Sequence, residues 1–225
     1  MSSMRLVPLG DCALLVELGD RIDAATHARV RAAFEALSAA DLPGVFDIVP
    51  AYTAVAVHYD PLAFTGPDAI PYDTASRTVL RALEMLAPTE PAVGRTVEIP
   101  VRYGGESGPD IEHVASHSGL SVAAVIDLHA SAEYTVYVIG FSPGFPFLAG
   151  LPPQLATPRR ASPRAAVPAG SVGIAGVQTG VYPLETPGGW NIIGRTTARL
   201  FVPEHDPPAL LRIGDGVRFL PVDGP

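Results

Sequence analysis

Lysine is absent from this sequence of 225 residues, and all 15 of its basic residues are arginine. The chain therefore cannot provide a P-loop lysine, a Schiff-base lysine or a lysine for the attachment of biotin. Arginine can still bind anions, because its planar guanidinium group matches carboxylate and phosphate. We attribute the missing lysine to a GC-rich genome, but these exclusions hold either way.

Cysteine is nearly absent as well, with Cys12 as the single example. One cysteine excludes an intrachain disulfide and a cysteine metal cluster. The first 20 residues lack a basic region followed by a long apolar run, and no apolar stretch reaches the roughly 18–20 residues of a membrane span. These absences predict a soluble protein without a membrane role and favour a cytoplasmic location.

Positive charge is also scarce, since the net charge is −8 and the isoelectric point lies near 5.1. Nonspecific binding to nucleic acid requires a basic face, so no nucleic-acid partner is expected. Hydrophobic residues make up 48% of the chain and charged residues 17%. This composition predicts a folded protein with a sizeable core.

The first part of the chain alternates between strand and helix patterns. Four short apolar stretches predict strands, over residues 4–9, 12–18, 45–50 and 52–59. Apolar residues at helical spacing predict a helix after Asp23 and another over 73–87, with Asp23 and Asp73 as caps. This order is typical of a small α+β unit with helices on one side of an open sheet.

The second part begins after a segment rich in proline and glycine, residues 87–94, which predicts a boundary between domains 1–88 and 94–225. A strand over 95–103 is followed by two helices: one from Pro109 or Asp110 to Gly119, the other capped by Ser121. No further helix is expected. Short predicted strands follow, over 134–141, 171–176, 181–185, 191–196, 199–203 and 217–222. Many short strands between turns predict a closed or nearly closed β-barrel.

The two helices over 110–131 also fit a DNA-reading helix-turn-helix. The second helix has no arginine and carries Asp127, so packing at the mouth of the barrel is favoured. His113 and His117 share one helix face, as paired metal ligands do. Because the His-Glu-x-x-His order and a third ligand are missing, an exposed pair is favoured and no metal site is predicted.

His129 ends the second helix, just before the strand that leads into GFSPGF. The negative end of a helix dipole favours a protonated histidine at this position. His129 is therefore a candidate catalytic residue, and a capping side chain is the equally open alternative.

The segment GFSPGFPFLAGL, residues 140–151, places three phenylalanines among prolines and glycines. Glycine permits sharp turns and proline fixes φ, so this pattern predicts a stiff loop rather than a helix or strand. Its apolar surface must be buried against the barrel, a partner or a substrate. The candidate substrate-binding residues in this loop are Phe141, Pro143, Gly144 and Phe145.

Positive charge is concentrated after this loop. Residues 151–203 contain five arginines and a single acid, Glu185, and so carry +4, whereas the rest of the chain carries −12. Cations in a glycine-rich region suggest an anion site, with a solvated basic patch as the alternative. The candidates for charge are Arg159, Arg160, Arg164 and Arg195, and we assign a catalytic role to Arg164 and Arg195.

Glycines recur through AGSVGIAGVQTG, residues 169–180, together with the polar residues Ser171, Gln178 and Thr179. The segment lacks the GK[ST] of a Walker A loop and the strand–GxGxxG–helix context of a Rossmann fingerprint. In PGGWN, Trp190 can stack on a flat ligand or plug the barrel.

GFSPGFPFLAGLP followed by PRRASPRAAVPAGSVGIAGVQTGVYPLETPGGWNIIGRT closely resembles the KipI-like family. Its members are the B subunit of 5-oxoprolinase, also labelled allophanate hydrolase subunit 1, and the equivalent segment of urea carboxylase. The resemblance continues through PVRYGGESGPDIEHVASHSGL and, more weakly, through the N-terminal part, so it covers nearly the whole chain. A motif set of this length and order is much more specific than any single glycine pattern.

The resemblance implies an α+β N-terminal ferredoxin-like domain followed by a mainly-β cyclophilin-like barrel domain. It implies a direct partner, the KipA-like subunit, and a further LamB/YcsF-like subunit, which together with this chain hydrolyse 5-oxoproline to glutamate. ATP would be required, with Mg²⁺ at the level of the complex. One branch of the family inhibits a sporulation histidine kinase, so a kinase inhibitor is the alternative. Prolyl isomerase activity does not follow from a cyclophilin-like fold alone.

An unstrained lactam resists hydrolysis, so ATP would serve to phosphorylate its oxygen, and the developing charge needs fixed donors. We hypothesise that the four arginines supply this charge, that the polar residues at 171–179 orient the substrate and that the phenylalanine loop excludes water. The remaining substrate-binding candidates are Tyr182, Trp190 and Asn191. The sequence offers no evident general base, so we expect the KipA-like subunit to complete the site.

Overall fold

The computed structural model describes residues 4–66, 69–84 and 94–222. The chain divides into two compact units, Met1–Ala92 and Val93–Pro225. The predicted boundary segment, 87–94, lies outside the described residues except for Gly94. Within the described ranges, no helix has the length and apolar character needed to cross a membrane.

The first unit is a four-stranded antiparallel sheet with two helices. Its elements are β1 (Arg5–Pro8), β2 (Ala13–Glu17), α1 (Ala24–Ala39), β3 (Val45–Pro50), β4 (Ala54–Tyr59) and α2 (Pro71–Glu84). The sheet order is β1-β2-β4-β3, and both helices contact the sheet and each other. Leu14, Val16 and Val57 alternate along the central strands and are fully buried, so one face of the sheet forms the core of this unit.

One of the two predicted helix caps in this unit is confirmed. Asp23 precedes α1 and its side chain accepts a hydrogen bond from the backbone N–H of Thr26 at 2.8 Å. The prediction that Asp73 caps the second helix is wrong, because α2 begins at Pro71. Proline at the first helical position loses no hydrogen bond, and Asp73 instead lies in the first turn, where its charge suits the helix dipole.

The second unit is built on a closed barrel of seven strands. Its elements are β5 (Thr96–Tyr103), α3 (Ile111–Ser118), α4 (Val122–Ser131), β6 (Tyr134–Ile139), β7 (Pro146–Ala149), β8 (Arg164–Val167), β9 (Ser171–Ala175), β10 (Gln178–Val181), β11 (Thr186–Gly188), β12 (Asn191–Arg195) and β13 (Gly216–Pro221). The barrel order is β10-β7-β6-β13-β5-β12-β9, and β9 closes the ring on β10. Strands β8 and β11 pair separately as a two-stranded sheet. The predicted closed barrel is confirmed.

The two helices of this unit begin and end where the sequence predicts. Gly119 follows α3 with φ of +66°, a conformation that glycine adopts without strain, and the Ser121 hydroxyl accepts from the N–H of Ala124 at the start of α4. Apolar residues of both helices, Val114 and Val125, lie in the same buried cluster as the barrel strands. Both helices therefore pack against the barrel, as expected.

The structure corrects the prediction that 140–151 contains no strand. Residues 140–145 form a tight turn, but Pro146–Ala149 is strand β7, which pairs with β6 and β10. Proline fits at the first residue of a strand. Opposite this strand, a Cβ at Gly180 would lie 2.7 Å from the carbonyl oxygen of Pro146, so glycine there permits the close pairing.

Several other strand boundaries differ from the prediction. Strands β8 and β11 were not expected, and β10 ends at Val181 shortly before Pro183, which has no N–H to continue a ladder. The predicted strand over 199–203 reduces to a single bridge between Phe201 and Ala209.

Candidate functional site

Five of the candidate site residues meet in one pocket of about 240 Å³, which we name the aromatic pocket. The pocket is lined by Phe141, Phe145, Phe147, Arg159, Pro163, Tyr182, Pro187, Gly188, Gly189 and Trp190. Segments that are far apart in sequence thus converge on one small, mostly apolar cavity, whose described lining includes one charged residue, Arg159. Such a cavity suits a small ligand with an apolar body and one anionic group.

The turn over 140–145 places Phe141 at the rim of this pocket. Phe141 has φ of +67° and is 66% exposed. A non-glycine residue in this left-handed region costs about 1–2 kcal/mol, so the turn holds the ring in place against a local preference. Gly144 has φ of +78°, and a Cβ there would lie 2.9 Å from the Cβ of Phe201, so the turn also needs glycine.

Phe145 is the buried centre of the pocket wall. Its ring meets Tyr182, Trp190 and Phe141 edge to face, with centroids 5.1, 5.4 and 5.5 Å apart. Edge-to-face contacts are favourable beyond the area they bury and fix the mutual angle of the rings. The pocket wall is therefore a rigid aromatic cluster.

The glycines of PGGWN allow strand β11 to approach this cluster. A Cβ at Gly188 would lie 2.3 Å from the hydroxyl oxygen of Tyr182. Burial raises the pKa of Tyr182, although the backbone N–H of Trp190 and the charges of Arg159 and Arg164 act in the opposite direction. Tyr182 is thus a neutral phenol that lies against the pocket floor.

Among the residues that the structure describes, Arg159 is the only charged one that lines the aromatic pocket. It is exposed and, within the described part of the chain, forms no ion pair. Asn191, which is fully buried, holds the chain just before it: the side-chain amide donates to the carbonyls of Pro158, at 2.8 Å, and Ile174, at 3.2 Å. Asn191 therefore fixes the segment that carries Arg159 and does not line the pocket itself.

Two of the arginines predicted to supply charge bind an aspartate instead. Arg164 donates to both oxygens of Asp110 at 2.8 Å, and Arg160 donates to one oxygen at 2.7 Å. The backbone N–H of Ile192 adds a fourth bond at 2.7 Å. The side chain of Asp110 is only 5% exposed. We name this group the aspartate clamp.

Opposing effects set the pKa of Asp110. Burial alone would raise it, but the hydrogen bonds from Arg164 and the Ile192 N–H, together with the charges of Arg164 and Arg160, outweigh burial and lower it. The carboxylate is therefore ionised, and the clamp holds two cations and one anion. The prediction that Arg160 and Arg164 are available to a ligand anion fails to this extent, because much of their charge is already neutralised.

Sequence reasoning treated Asp110 only as the start of a helix and missed this role. The two arginine partners lie 50 and 54 residues further along the chain, so no local pattern connects them. One signal was available: the excess of arginine over acid in 151–203 means that any arginine buried there needs a carboxylate from another segment. Asp110 also makes no side-chain cap on α3, which leaves its carboxylate for the arginines.

His129 lies inside the barrel and contacts no solvent. Its Nδ1 is 2.8 Å from the Tyr103 hydroxyl and its Nε2 is 2.9 Å from the Thr179 hydroxyl. Because Thr179 donates its own proton to the carbonyl of Gly173, Nε2–H must be the donor and Nδ1 the acceptor. The ring also stacks on Phe219 at 4.7 Å.

Burial lowers the pKa of His129 to about 3. The prediction of a protonated histidine is therefore wrong: desolvation inside the barrel outweighs the helix dipole. An enclosed ring with both nitrogens bonded also cannot touch a substrate in this arrangement, so its role here is structural. Thr179, its partner, is equally buried and does not reach the aromatic pocket.

The other candidates are not among the described residues that line the aromatic pocket. Pro143 and Gly144 shape the turn that carries Phe141. Gln178 is half-buried at the start of β10, and Ser171 is buried on β9.

A second and larger depression, of about 760 Å³, lies elsewhere on the barrel unit. It is lined by Pro100, Arg102, Ser107, Ala169, Gly170, Pro183, Leu184, Arg195, Thr196, Thr197, Ala198, Arg199, Phe201 and Val222, and it shares no lining residue with the aromatic pocket. Arg195, the remaining arginine candidate, lies here. We name this depression the arginine cleft.

His113 and His117 form the exposed, stacked pair that was expected, with ring centroids 6.4 Å apart. Among the described residues, no group of three or more potential metal ligands comes together.

Residues 4–211 match the family model described as carboxyltransferase domain, subdomain C and D. The chain belongs to this family. Within it, the chain is 46% identical to the B subunit of 5-oxoprolinase from Bacillus subtilis, over 94% of this chain and 90% of that relative. The resemblance to this subunit predicted from the sequence is thereby confirmed.

Two solved structures extend the comparison of this carboxyltransferase-family chain. The crystal structure of TTHA0988 superimposes with a TM-score of 0.82 at 44% identity, covering 95% of this chain but only 40% of the other. The Kluyveromyces lactis urea carboxylase gives a TM-score of 0.76 at 18% identity, over 98% of this chain and 22% of the other. The second likeness concerns the fold alone.

Proposed function

We propose that this chain is the B subunit of an ATP-dependent 5-oxoprolinase, which opens the cyclic amide 5-oxoproline to glutamate. The observation that carries the proposal is the 46% identity to such a subunit over nearly the full length of both chains. The proposed partners are the KipA-like subunit, in direct contact, and the LamB/YcsF-like subunit. In agreement with a chain that works in a complex, the relative that shows this identity is itself named as a subunit.

We place the substrate in the aromatic pocket. The faces of the lactam ring would lie against Phe145 and Trp190, and the carboxylate would pair with Arg159, the one charged side chain among the described lining residues. A guanidinium group binds a carboxylate through two parallel N–H···O bonds, which orients as well as attracts the ligand. Phe141, at the rim, would reduce the access of water to the bound amide.

ATP would supply the activation that an unstrained amide needs, by phosphorylation of its oxygen. This chain's residues would hold and orient the lactam while charge develops on that oxygen. Among the described residues that line the aromatic pocket there is no carboxylate or histidine to act as a base. We therefore assign the base, and any Mg²⁺ that accompanies ATP, to the interface with the KipA-like subunit or to the LamB/YcsF-like subunit.

The fold fits domains 1–88, ferredoxin-like, and 94–225, cyclophilin-like. In a ferredoxin-like sheet, strands joined through a helix are separated by one strand. Here β2 and β3 are joined through α1 and have β4 between them. Strand β1 takes the edge position beside β2, which we interpret as a ferredoxin-like sheet whose outer strand comes from the start of the chain. We expect the complex to be cytoplasmic.

Reconstitution tests the proposal. The chain is co-expressed with the KipA-like and LamB/YcsF-like subunits, and ATP hydrolysis and glutamate formation are measured with and without 5-oxoproline. We expect both to depend on 5-oxoproline and on this chain. An inert reconstituted mixture would contradict the proposal, and inhibition of a sensor histidine kinase by the same chain would then support the regulatory alternative.

A further inference from the structure

The arginine cleft brings arginines from two neighbouring strands together. Arg195, the last residue of β12, is the antiparallel partner of Arg102 on β5. Directly opposed residues of antiparallel strands project from the same face of the sheet, and like charges in this position repel. Two arginines are therefore set side by side on the wall of one depression, and Arg199 lies a few residues further along the same wall.

The lining of this cleft is positively charged. No carboxylate lines it among the residues that the structure describes. Arg195 donates its Nε–H to the carbonyl of Ala169 at 3.0 Å, which uses one of its five N–H donors and orients the rest. A backbone carbonyl thus holds this side chain in position and leaves its charge in place.

In the aspartate clamp of the same unit, the arginines that stabilise the fold are ion-paired. There, two guanidinium groups meet a buried carboxylate with short bonds. In the cleft, Arg195 and Arg199 form no ion pair with any described residue. The cleft has a volume of about 760 Å³, which lies in the usual range for small-molecule sites.

We propose that the arginine cleft binds a phosphoryl group, held by Arg195 and Arg199. The planar guanidinium group suits the oxygens of a phosphoryl group. The lining also contains Pro183, Leu184 and Phe201, so a phosphorylated ligand with an apolar or flat part would fill the cleft better than phosphate alone. The choice of a nucleotide as the source of that group rests on the proposed function, whereas binding of phosphoryl groups does not.

Calorimetric titration of the purified full chain tests this, with ATP, ADP and inorganic phosphate as separate ligands at low and moderate salt. We expect ATP to bind, with an affinity that falls as salt rises. If ATP binds much more tightly than phosphate, the source is a nucleotide; if phosphate binds as well as ATP, it is free phosphate. Both results support the phosphoryl site. Absence of binding by all three ligands would overturn it.

Variants locate the binding. Arg195→Ala is expected to weaken ATP binding about tenfold or more, because it removes charge-assisted bonds. Arg218→Ala is the matched control: Arg218 is a half-exposed arginine of the same barrel, lies outside the cleft and pairs with Glu133. It should leave the affinity unchanged. Equal affinities of the two variants would mean that the cleft does not hold the ligand and would overturn the proposal.

A second measurement separates a lost ligand from a damaged fold. Without ligand, Arg195→Ala should unfold at about the same temperature as the parent, since Arg195 is exposed and its described bond within the barrel unit is a hydrogen bond to a backbone carbonyl. Added ATP should raise the Tm of the parent and of Arg218→Ala but not that of Arg195→Ala. A marked fall in the ligand-free Tm of Arg195→Ala would mean that Arg195 serves the fold, which contradicts the proposal.

Two other occupants are tested by the same approach. Asp223 follows Val222 of the lining in the sequence and lies outside the described residues. Asp223→Asn should leave the ATP affinity within about twofold, the small effect of a charge that takes no part in binding; a large gain would show that the chain's own carboxylate fills the cleft. If Arg195→Ala abolishes copurification with the KipA-like subunit while no phosphate ligand binds, the cleft is a docking surface for an acidic protein. Either result overturns the proposal, and neither depends on turnover of the reconstituted enzyme.

Discussion

The aspartate clamp and the arginine cleft contain the same side chain in opposite settings. In the clamp, Arg160 and Arg164 surround one buried carboxylate at 2.7–2.8 Å. In the cleft, Arg195 is bonded to a backbone carbonyl and is the cross-strand partner of Arg102. A count of charges along the sequence does not distinguish these arginines. In the structure, the charge of Arg195 is available to a ligand, whereas Asp110 neutralises much of the charge of the clamp arginines.

The clamp serves binding only indirectly. It ties the loop before β8, through Arg160, and the starts of β8 and β12, through Arg164 and Ile192, to Asp110, the residue that precedes α3. It thereby stabilises the loop that also carries Arg159 to the aromatic pocket. Variants in the two groups should therefore separate support of the fold from binding of a ligand.

The largest effect is expected from Asp110→Ala. Removal of one partner from a buried ion pair costs about 3–5 kcal/mol, because the two arginines and the Ile192 N–H lose their acceptor. Urea unfolding of the variant should show a loss of this size. Asp127→Ala, an exposed acid on α4, is the control and should change the stability by no more than about 0.5 kcal/mol. Equal stability of the two variants would contradict the clamp.

Adjacent arginines give the second test. Arg159→Ala removes the charged side chain that lines the aromatic pocket. It should raise the KM for 5-oxoproline in the reconstituted enzyme by about 10- to 100-fold, since a hydrogen bond to a charged group contributes about 1.5–3 kcal/mol. Arg160→Ala should lower the stability instead and leave KM nearly unchanged. The assignment of the carboxylate to Arg159 fails if the two KM values move together.

Low pH should lower the free energy of unfolding because of His129, which is buried and neutral, in contrast to the ionised Asp110. Its pKa is lowered to about 3, so below the ordinary value of about 6.5 the unfolded chain binds a proton that the folded chain does not. The free energy of unfolding should therefore fall as pH drops from 7 to 5, by at most about 1.4 kcal/mol per pH unit from this residue. His129→Gln should be less stable at pH 7 but show a shallower slope.

His27 in the first unit, whose pKa is lowered to about 4, adds a second contribution of the same sign. The measurement is the difference between the parent and His129→Gln in urea unfolding at several pH values. Parallel pH curves would contradict a neutral buried His129.

The smallest effect concerns the turn at the pocket rim. Phe141→Gly should relieve a left-handed conformation that costs about 1 kcal/mol or more, so its stability should be equal or higher. The affinity for 5-oxoproline should nevertheless fall, because an aromatic wall is lost. A variant that is both less stable and unchanged in affinity would show that Phe141 packs the fold and does not serve the pocket.

Much of this arrangement follows from the sequence, because local rules decide it. The cap at Asp23, the glycine end of α3 and the serine start of α4 depend on neighbouring residues only. The aromatic pocket was predicted in part, because the glycines and prolines around Phe141 and Trp190 restrict the backbone and therefore the positions of the two rings. Strand β7 was missed because its pairing partner on β10 lies about 30 residues away in the sequence. Gly180 of that partner has no side chain and so permits the close approach of Pro146.

The candidate site was predicted least well where charges pair across long sequence distances. Asp110 neutralises arginines that the sequence analysis assigned to a ligand. Burial among strands distant in sequence lowers the pKa of His129, although the dipole of its own helix would raise it. Both errors have one cause: burial and partner choice are properties of the closed barrel, and no short segment contains them.

The most direct test of the central claim, that arginines paired with a carboxylate support the fold whereas Arg195 binds a ligand, is the shift in Tm caused by ATP in three proteins. The parent and Arg160→Ala should show similar shifts of several degrees at saturating ligand, even though Arg160→Ala starts from a lower Tm, and Arg195→Ala should show none. The account is contradicted if Arg160→Ala loses the shift and Arg195→Ala retains it.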